Sequence, residues 1–332
     1  MSDLIIREAT PADNDALIDL ERRSPLILGE ARLVFDRSPN FLARRELQEH
    51  GCMLVAERDG SPTGVMAAAW YETLVGGELV RALYVHHGRV AVEYQRSGVA
   101  TALARALVER WLGHVDLVYW YVLPDNQVSL ATIYRVSPRR WPAGPVCQRF
   151  LLEAQGPAEG APSSARPAQA GEVTGLINRT HSGRDLFMPY TPERFAARLS
   201  RSTSYGWRQI LVRERVGRPV AVAGLWDLGS TLNVVRTDER GLETASRPAV
   251  ILDYGFAEGE EREMAALLDD LGLLAAAQGR QELWISLDPE SGLYDLMQDR
   301  PHASDSILAF NVTAAEPLPG RSATPYLDFV YW

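Results

Sequence analysis

Apolar residues along the chain fall into short runs of strand length and longer runs at helical spacing, and the same succession of runs occurs twice. Leu4 to Arg7 reads as a short strand. Thr10-Pro11-Ala12-Asp13 has the form of a helix start, with Thr10 at the N-cap, Pro11 at the first helical position and Asp13 in the first turn. Ala16, Leu17 and Leu20 give that helix its apolar face. Ser38-Pro39 precedes a second helix over Phe41 to Glu49. Met53 to Glu57 and Val65 to Trp70 are apolar runs separated by Arg58-Asp59-Gly60-Ser61-Pro62, which predicts a hairpin. A longer strand follows over Val80 to Val92, then a helix over Thr101 to Leu112 and a strand over Leu117 to Val122, closed by Leu123-Pro124-Asp125-Asn126.

The pattern lapses from Gln155, where Pro, Gly, Ala and Ser crowd together without apolar periodicity, and 155–165 reads as a linker. Beyond it the pattern starts over. Arg166-Pro167-Ala168 and a helix through Val173 to Arg179 echo Arg7-Glu8-Ala9 and its helix. Leu54-Val55-x-Glu57-Arg58-x-Gly60-x-Pro62 returns in register as Leu211-Val212-x-Glu214-Arg215-x-Gly217-x-Pro219. The chain therefore reads as two copies of one fold, 1–154 and 166–332, which suits its 332 residues. Trp284 to Leu287 takes the place of Tyr119 to Val122. The run from Tyr326 to Trp332 predicts a docked final strand, because so aromatic a surface is unfavourable in water.

Chemistry gathers at Val90 to Leu103. An apolar strand end runs through a turn containing Gly98 directly into a helix, so successive backbone N–H groups and the positive end of the helix dipole converge on one point. Such a turn cradles a phosphate or pyrophosphate. The spacing Gln95-x-x-Gly98-x-Ala100, with the strand before it and the Ala/Leu-rich helix after it, resembles the acyl-CoA pyrophosphate loop of the GNAT N-acetyltransferase superfamily. The order of elements over the first 150 or so residues is similar to that family too.

The resemblance implies an α/β fold of two tandem GNAT-like domains, each a central, mostly antiparallel mixed sheet flanked by helices. It implies acetyl-CoA as cosubstrate, with pantetheine along Val90, Ala91 and Val92. Pyrophosphate would be held at Gln95, Arg96, Ser97, Gly98, Val99, Ala100 and Thr101, and Asn126 would also contribute to the cofactor site. An amine attacks the thioester directly, so the site needs a proton acceptor and an acid for the leaving thiolate. His86 and His87 are the acceptor candidates, on the strand leading to the loop. Strand alternation sends them to opposite faces, so one at most points into the site unless a bulge intervenes. Glu93 is a weaker candidate, better read as surface. Tyr134 is the candidate acid, although it follows Asn126 by eight residues where the family has seven. In the second copy the corresponding helix start carries Glu258, Glu260, Glu261 and Glu263, which repel a pyrophosphate, so this copy reads as degenerate.

Composition narrows the partners. A net charge of −9 disfavours nucleic acid and leaves small amines open, and no apolar run is long enough to span a membrane. Cys52 and Cys147 are the only cysteines, and Met1 to Arg7 lack the form of a secretory signal, which points to the cytoplasm. His181 and His302 stand alone, without metal-ligand spacing. The expected activity is acetyl transfer to the primary amine of a small molecule, by a monomer or a homodimer. A protein N-terminus, a mycothiol-type amino-sugar precursor, a longer acyl group, and a non-catalytic acyl-CoA or metabolite-binding sensor or resistance module remain alternatives. The loops Leu26–Asp36 and Phe187–Thr191 are expected to shape the cavity, and Asp185 to Tyr190 to reach it.

Overall fold

The computed structural model describes residues 3–111, 113–136, 139–140, 144–152, 162–313 and 324–330. Leu112, residues 155–161 of the expected linker, Tyr331 and Trp332 lie outside the described residues. The first half runs β1 (Ile5–Glu8), α1 (Asn14–Arg23), β2 (Leu26–Leu28), β3 (Ala31–Asp36), α2 (Ala43–Leu47), β4 (His50–Arg58), β5 (Ser61–Val75) and β6 (Glu78–Val90). It continues with α3 (Val99–Trp111), β7 (Leu117–Val122), α4 (Gln127–Val136), β8 (Arg139–Arg140) and β9 (Val146–Leu151). The second half runs β10 (Ser163–Ser164), α5 (Ala170–His181), α6 (Pro192–Ser200), β11 (Ile210–Arg215), β12 (Arg218–Trp226), β13 (Asn233–Thr237) and β14 (Glu243–Ser246). It ends with β15 (Pro248–Phe256), α7 (Glu261–Ala277), β16 (Glu282–Leu287), α8 (Gly292–Met297), β17 (His302–Ser306) and β18 (Leu308–Thr313).

The repeated Glu-Arg-x-Gly-x-Pro signature marks the same object in both halves. Asp59 and Gly60 take φ +51° and +75°, Val216 and Gly217 take +51° and +73°, and each pair turns a two-residue hairpin, β4–β5 and β11–β12. Around these hairpins two seven-stranded sheets share one plan, β1-β4-β5-β6-β7-β18-β8 and β10-β11-β12-β15-β16-β9-β17. β6–β7 and β15–β16 are the parallel pairs, and the other described pairs are antiparallel. The sixth strand is exchanged. β9, from the first half, pairs with β16, and β18, from the second, pairs with β7. Residues 1–154 and 166–332 thus each lend a strand to the other's sheet.

Helices cover both faces of each sheet. Leu103, Ala104 and Leu107 of α3 and Leu130 and Ile133 of α4 pack on Leu54, Ala68, Leu83, Val118 and Trp120. Leu17, Ile18 and Leu20 of α1 pack on the opposite face against Met53, Val55, Val65 and Ala67. A third core, with Tyr84, Tyr119, Phe187, Trp226 and Phe329, joins the halves.

Three expectations change here. Leu26–Asp36 is no loop: β2 and β3 form a hairpin whose β3 edge pairs with β13, giving a four-stranded sheet shared by both halves. Asp185 to Tyr190 binds the end of β5, where Leu186 N–H donates to the Leu74 carbonyl at 2.7 Å and Leu74 N–H to the Phe187 carbonyl at 2.9 Å. Residues 324–330 are irregular, not a strand, yet Tyr326, Leu327, Phe329 and Val330 are buried, so burial without sheet pairing satisfies this aromatic stretch.

Candidate active site

β6 and β7 pair only over Ala82–Leu117, Leu83–Val118 and Tyr84–Tyr119, whereas β6 stays paired with β5 as far as Val90. Past Tyr84 the two strands part. One edge of β6, from Val85 onward, lacks a strand partner among the described residues, and backbone groups left this way need a hydrogen-bonding occupant.

The turn leading to α3 has the form the sequence implied. Gly98 takes φ +88° and Arg96 +63°. A left-handed φ is free of steric cost for glycine. The first helical bond is Ala102 N–H to the Gly98 carbonyl at 2.9 Å, so the amides of Val99, Ala100 and Thr101 meet no acceptor among the described residues. A Cβ built on Gly98 would meet nothing within 4 Å, so the turn is open at that point. Gln95 Nε2 donates to the Val90 carbonyl at 3.4 Å and Ser97 Oγ to the Tyr94 carbonyl at 2.6 Å, both holding the turn. Arg96 is exposed beside it. Ala91 departs from expectation. Its amide donates to the Thr63 carbonyl at 2.9 Å, on the β5 side, and is not free for a pantetheine arm. Val92 is 55% exposed in a short turn.

The two histidines fall on one face. Val65 pairs with Arg89 and Ala67 with His86, so Met66 opposes two residues, and the extra one, His87, takes φ +55°. This bulge overrides the alternation. His87 packs edge-on to Phe41 with ring centres 4.9 Å apart, and His86 lies 6.4 Å away, stacked on Tyr84. Behind His87 is Glu21 of α1, 1% exposed, with its carboxylate 3.4 Å from His87 Nε2, 2.9 Å from Arg37 Nε and 3.7 Å from Arg89 Nε. Burial opposes ionisation of Glu21, but Arg37, His87 and Arg89 outweigh it and hold the carboxyl well below the usual range. Burial and then Arg37 push His87 down to about 4 against the pull of Glu21, and burial with the neighbouring cations takes His86 well below its ordinary value. Both rings are neutral at pH 7.

Their tautomers follow from their partners. Gln48 Nε2 donates to the Val330 carbonyl at 3.2 Å, which fixes it as the amide nitrogen, and it lies 3.1 Å from His86 Nε2. His86 therefore accepts at Nε2 and carries its proton on Nδ1. His87 presents Nε2–H to ionised Glu21, which leaves the lone pair on Nδ1.

Asn126 caps α4, accepting from Ser129 N–H at 3.1 Å through Oδ1. Tyr134 is not brought to the histidines. It lies on α4, 53% exposed, edge-on to Phe310 of β18 and on the opposite face of the sheet from His86. Glu93 is exposed, 3.6 Å from Arg23. The residues the sequence did not single out are Glu21, Arg37, Arg44 and Gln48. One signal was present: Glu21 follows Leu17 by four positions, which puts a carboxylate on the apolar stripe of α1.

Residues 15–135 match the model of the acetyltransferase (GNAT) family. Over that stretch the chain is similar to the GNAT acyltransferases. No curated protein sequence matches it. The fold is similar to Saccharomyces cerevisiae N-myristoyltransferase with bound myristoyl-CoA, at TM-score 0.67 and 11% identity over 99% of this chain and 86% of that one. It is similar also to a GCN5-related N-acetyltransferase from Sphaerobacter thermophilus, at TM-score 0.62 and 15% identity over 97% and 98% of the two chains. At these identities the likeness is one of fold.

The second seven-stranded sheet, built on the same strand plan, differs at the equivalent place. β15 and β16 also pair over three positions only, but Tyr254 Oη reaches across and donates to the Ser286 carbonyl at 3.0 Å. Asp253, at φ +50° beside a register shift, takes the place of the bulged histidine. Its carboxylate accepts from Tyr190 Oη at 2.7 Å, Tyr205 Oη at 2.8 Å and Arg198 Nε at 3.0 Å, all buried. The space beside Asp253 is thus filled by buried side chains of the second half. At the start of α7, Glu260 and Glu263 are paired with Arg215, and Glu263 with Arg213 at 3.5 Å.

Proposed function

We propose that the first half transfers an acetyl group from acetyl-CoA to the primary amine of a small molecule, by direct attack in a ternary complex. The observation that carries this reading is the parting of β6 and β7 directly above a turn with three free amides. The pantetheine arm would occupy the unpaired edge of β6 from Val85 on. The diphosphate would sit on Val99, Ala100 and Thr101 around Gly98, with Gln95 and Ser97 holding the turn, Arg96 beside it and the Asn126 side chain near the opposite wall. The amine would enter from the histidine face. There His87 Nδ1 is the proton acceptor, oriented through Nε2–H by Glu21; its lone pair is free across the neutral pH range, and the burial and Arg37 that hold it down to about 4 make it a weak base that takes the proton as the amine attacks. Tyr134 on the far face is left as the donor to the departing thiolate. The domain from 166 to 332 braces the site and supplies the tail at Val330.

Calorimetric titration of acetyl-CoA into the wild type and Gly98→Glu tests the cofactor half. One equivalent bound by the wild type and none by the variant supports it, because the added carboxylate stands where the diphosphate would. Binding retained in the variant, or two equivalents in the wild type, would overturn it. Thiol release against a panel of amines tests the transfer, and binding with no release from any amine would leave a CoA-binding module instead.

A further inference from the structure

On the histidine face, Phe41, Arg44, Arg45, Gln48, Met53, Ala67, His86 and His87 line a narrow cleft. Besides His87 Nε2, which faces Glu21 at 3.4 Å, two buried donors in it have no acceptor among the described residues: Arg44 Nε and His86 Nδ1, the nitrogen that carries the ring proton. Arg44 forms no ion pair among the described residues. Burial and then Arg37 push its guanidinium down to about 9, against the pull of Glu21 and Asp328. Of the carboxylates nearby, Glu21 is already shared by Arg37, Arg89 and His87, and Asp328 is held by Arg198 Nη2 at 2.9 Å. Arg45 pairs with Glu8 at 3.4 Å.

Beside the two neutral imidazoles, Arg37 and Arg89 already share the Glu21 carboxylate, and Arg44 is a third guanidinium in the same buried space. A simple alkylammonium would be repelled from such a cleft, and an uncharged amine, with its single lone pair, would satisfy one orphan donor at most. An acceptor with two oxygens and a negative charge satisfies both.

We propose that the acceptor substrate is an amine that also bears a carboxylate, bound through Arg44 and His86 Nδ1–H, with its amino group turned toward His87 Nδ1. This rests on the acyl-transfer reading above and adds the substrate class. The positive charge of Arg44 has a second effect on such a substrate. It lowers the proton affinity of the bound ammonium and so favours the free amine that attacks the thioester.

The test is calorimetry on the full chain saturated with CoA, using matched probes: glycine with methylamine, β-alanine with ethylamine, phenylalanine with phenethylamine. We expect the acid of at least one pair to bind about tenfold or more tightly than its amine. Arg44→Gln is expected to erase that preference with acetyl-CoA affinity unchanged, and Arg44→Lys to keep part of it. The proposal is overturned if the carboxylate-free amines bind as well or better in every pair, if no acid binds, or if the preference survives in Arg44→Gln. The wild-type arm stands even if a variant does not fold. Thiol release from acetyl-CoA separates the two readings. Release with carboxylate-free amines alone refutes the carboxylate and leaves transfer standing, while acid binding without release does the reverse.

Discussion

Replacing His87 by Asn should change how stability depends on pH. Asparagine is chosen because it tolerates the left-handed φ of +55° that the bulge imposes. In the folded protein His87 is held down to about 4 by burial and Arg37, whereas in the unfolded chain it titrates near its ordinary value of about 6.5. Between those values the unfolded chain binds the proton and the folded protein does not, so unfolding takes up a proton and stability falls as the pH drops. Integrating over this single group, about 2 kcal/mol is lost between pH 7.5 and pH 5. His86 and His181 are depressed by burial in the same sense, so the wild-type slope exceeds one proton and the variant keeps their share. Urea unfolding at half-unit steps from pH 5 to 7.5 reads the slope directly. A reduction of about one proton is expected in His87→Asn, and identical slopes in the two proteins would refute the assignment of a buried, neutral His87.

Two further substitutions test the packing around the site. Asp253→Asn keeps the backbone angle but leaves Arg198 short of the carboxylate that it meets at 3.0 Å, and should destabilise by on the order of 3 kcal/mol in denaturant unfolding, with acetyl-CoA binding unchanged. Val216→Asn should raise stability by about 1 kcal/mol, because Val216 is a β-branched residue at φ +51° with its side chain 98% exposed, so only backbone strain changes.

What the sequence made legible was local. The Gly98 turn, the two hairpins and the acidic start of α7 are each set by a few consecutive residues, and each is present. The histidine face was not legible, because alternation is a rule for regular strands and the extra residue opposite Met66 depends on pairing with β5. Arg37, Arg44 and Gln48 are unremarkable in sequence, and their chemistry comes from sharing one buried space with Glu21 and His86. The exchanged strands were hidden for a similar reason. β9 and β18 each follow their own half's pattern, and only a choice of partner far along the chain separates the two topologies.

That exchange has a consequence for synthesis. β7 is complete at Val122, but the strand that covers its outer edge begins at Leu308. A ribosome adding residues at ordinary rates takes about 10–40 s to travel between them. Throughout that interval the emerging chain holds an apolar edge, Leu117 to Val122, with its hydrogen-bonding groups unmet. Production in cells should therefore be unusually sensitive to chaperone supply, and a chain stopped after residue 154 should aggregate rather than accumulate as a smaller folded protein.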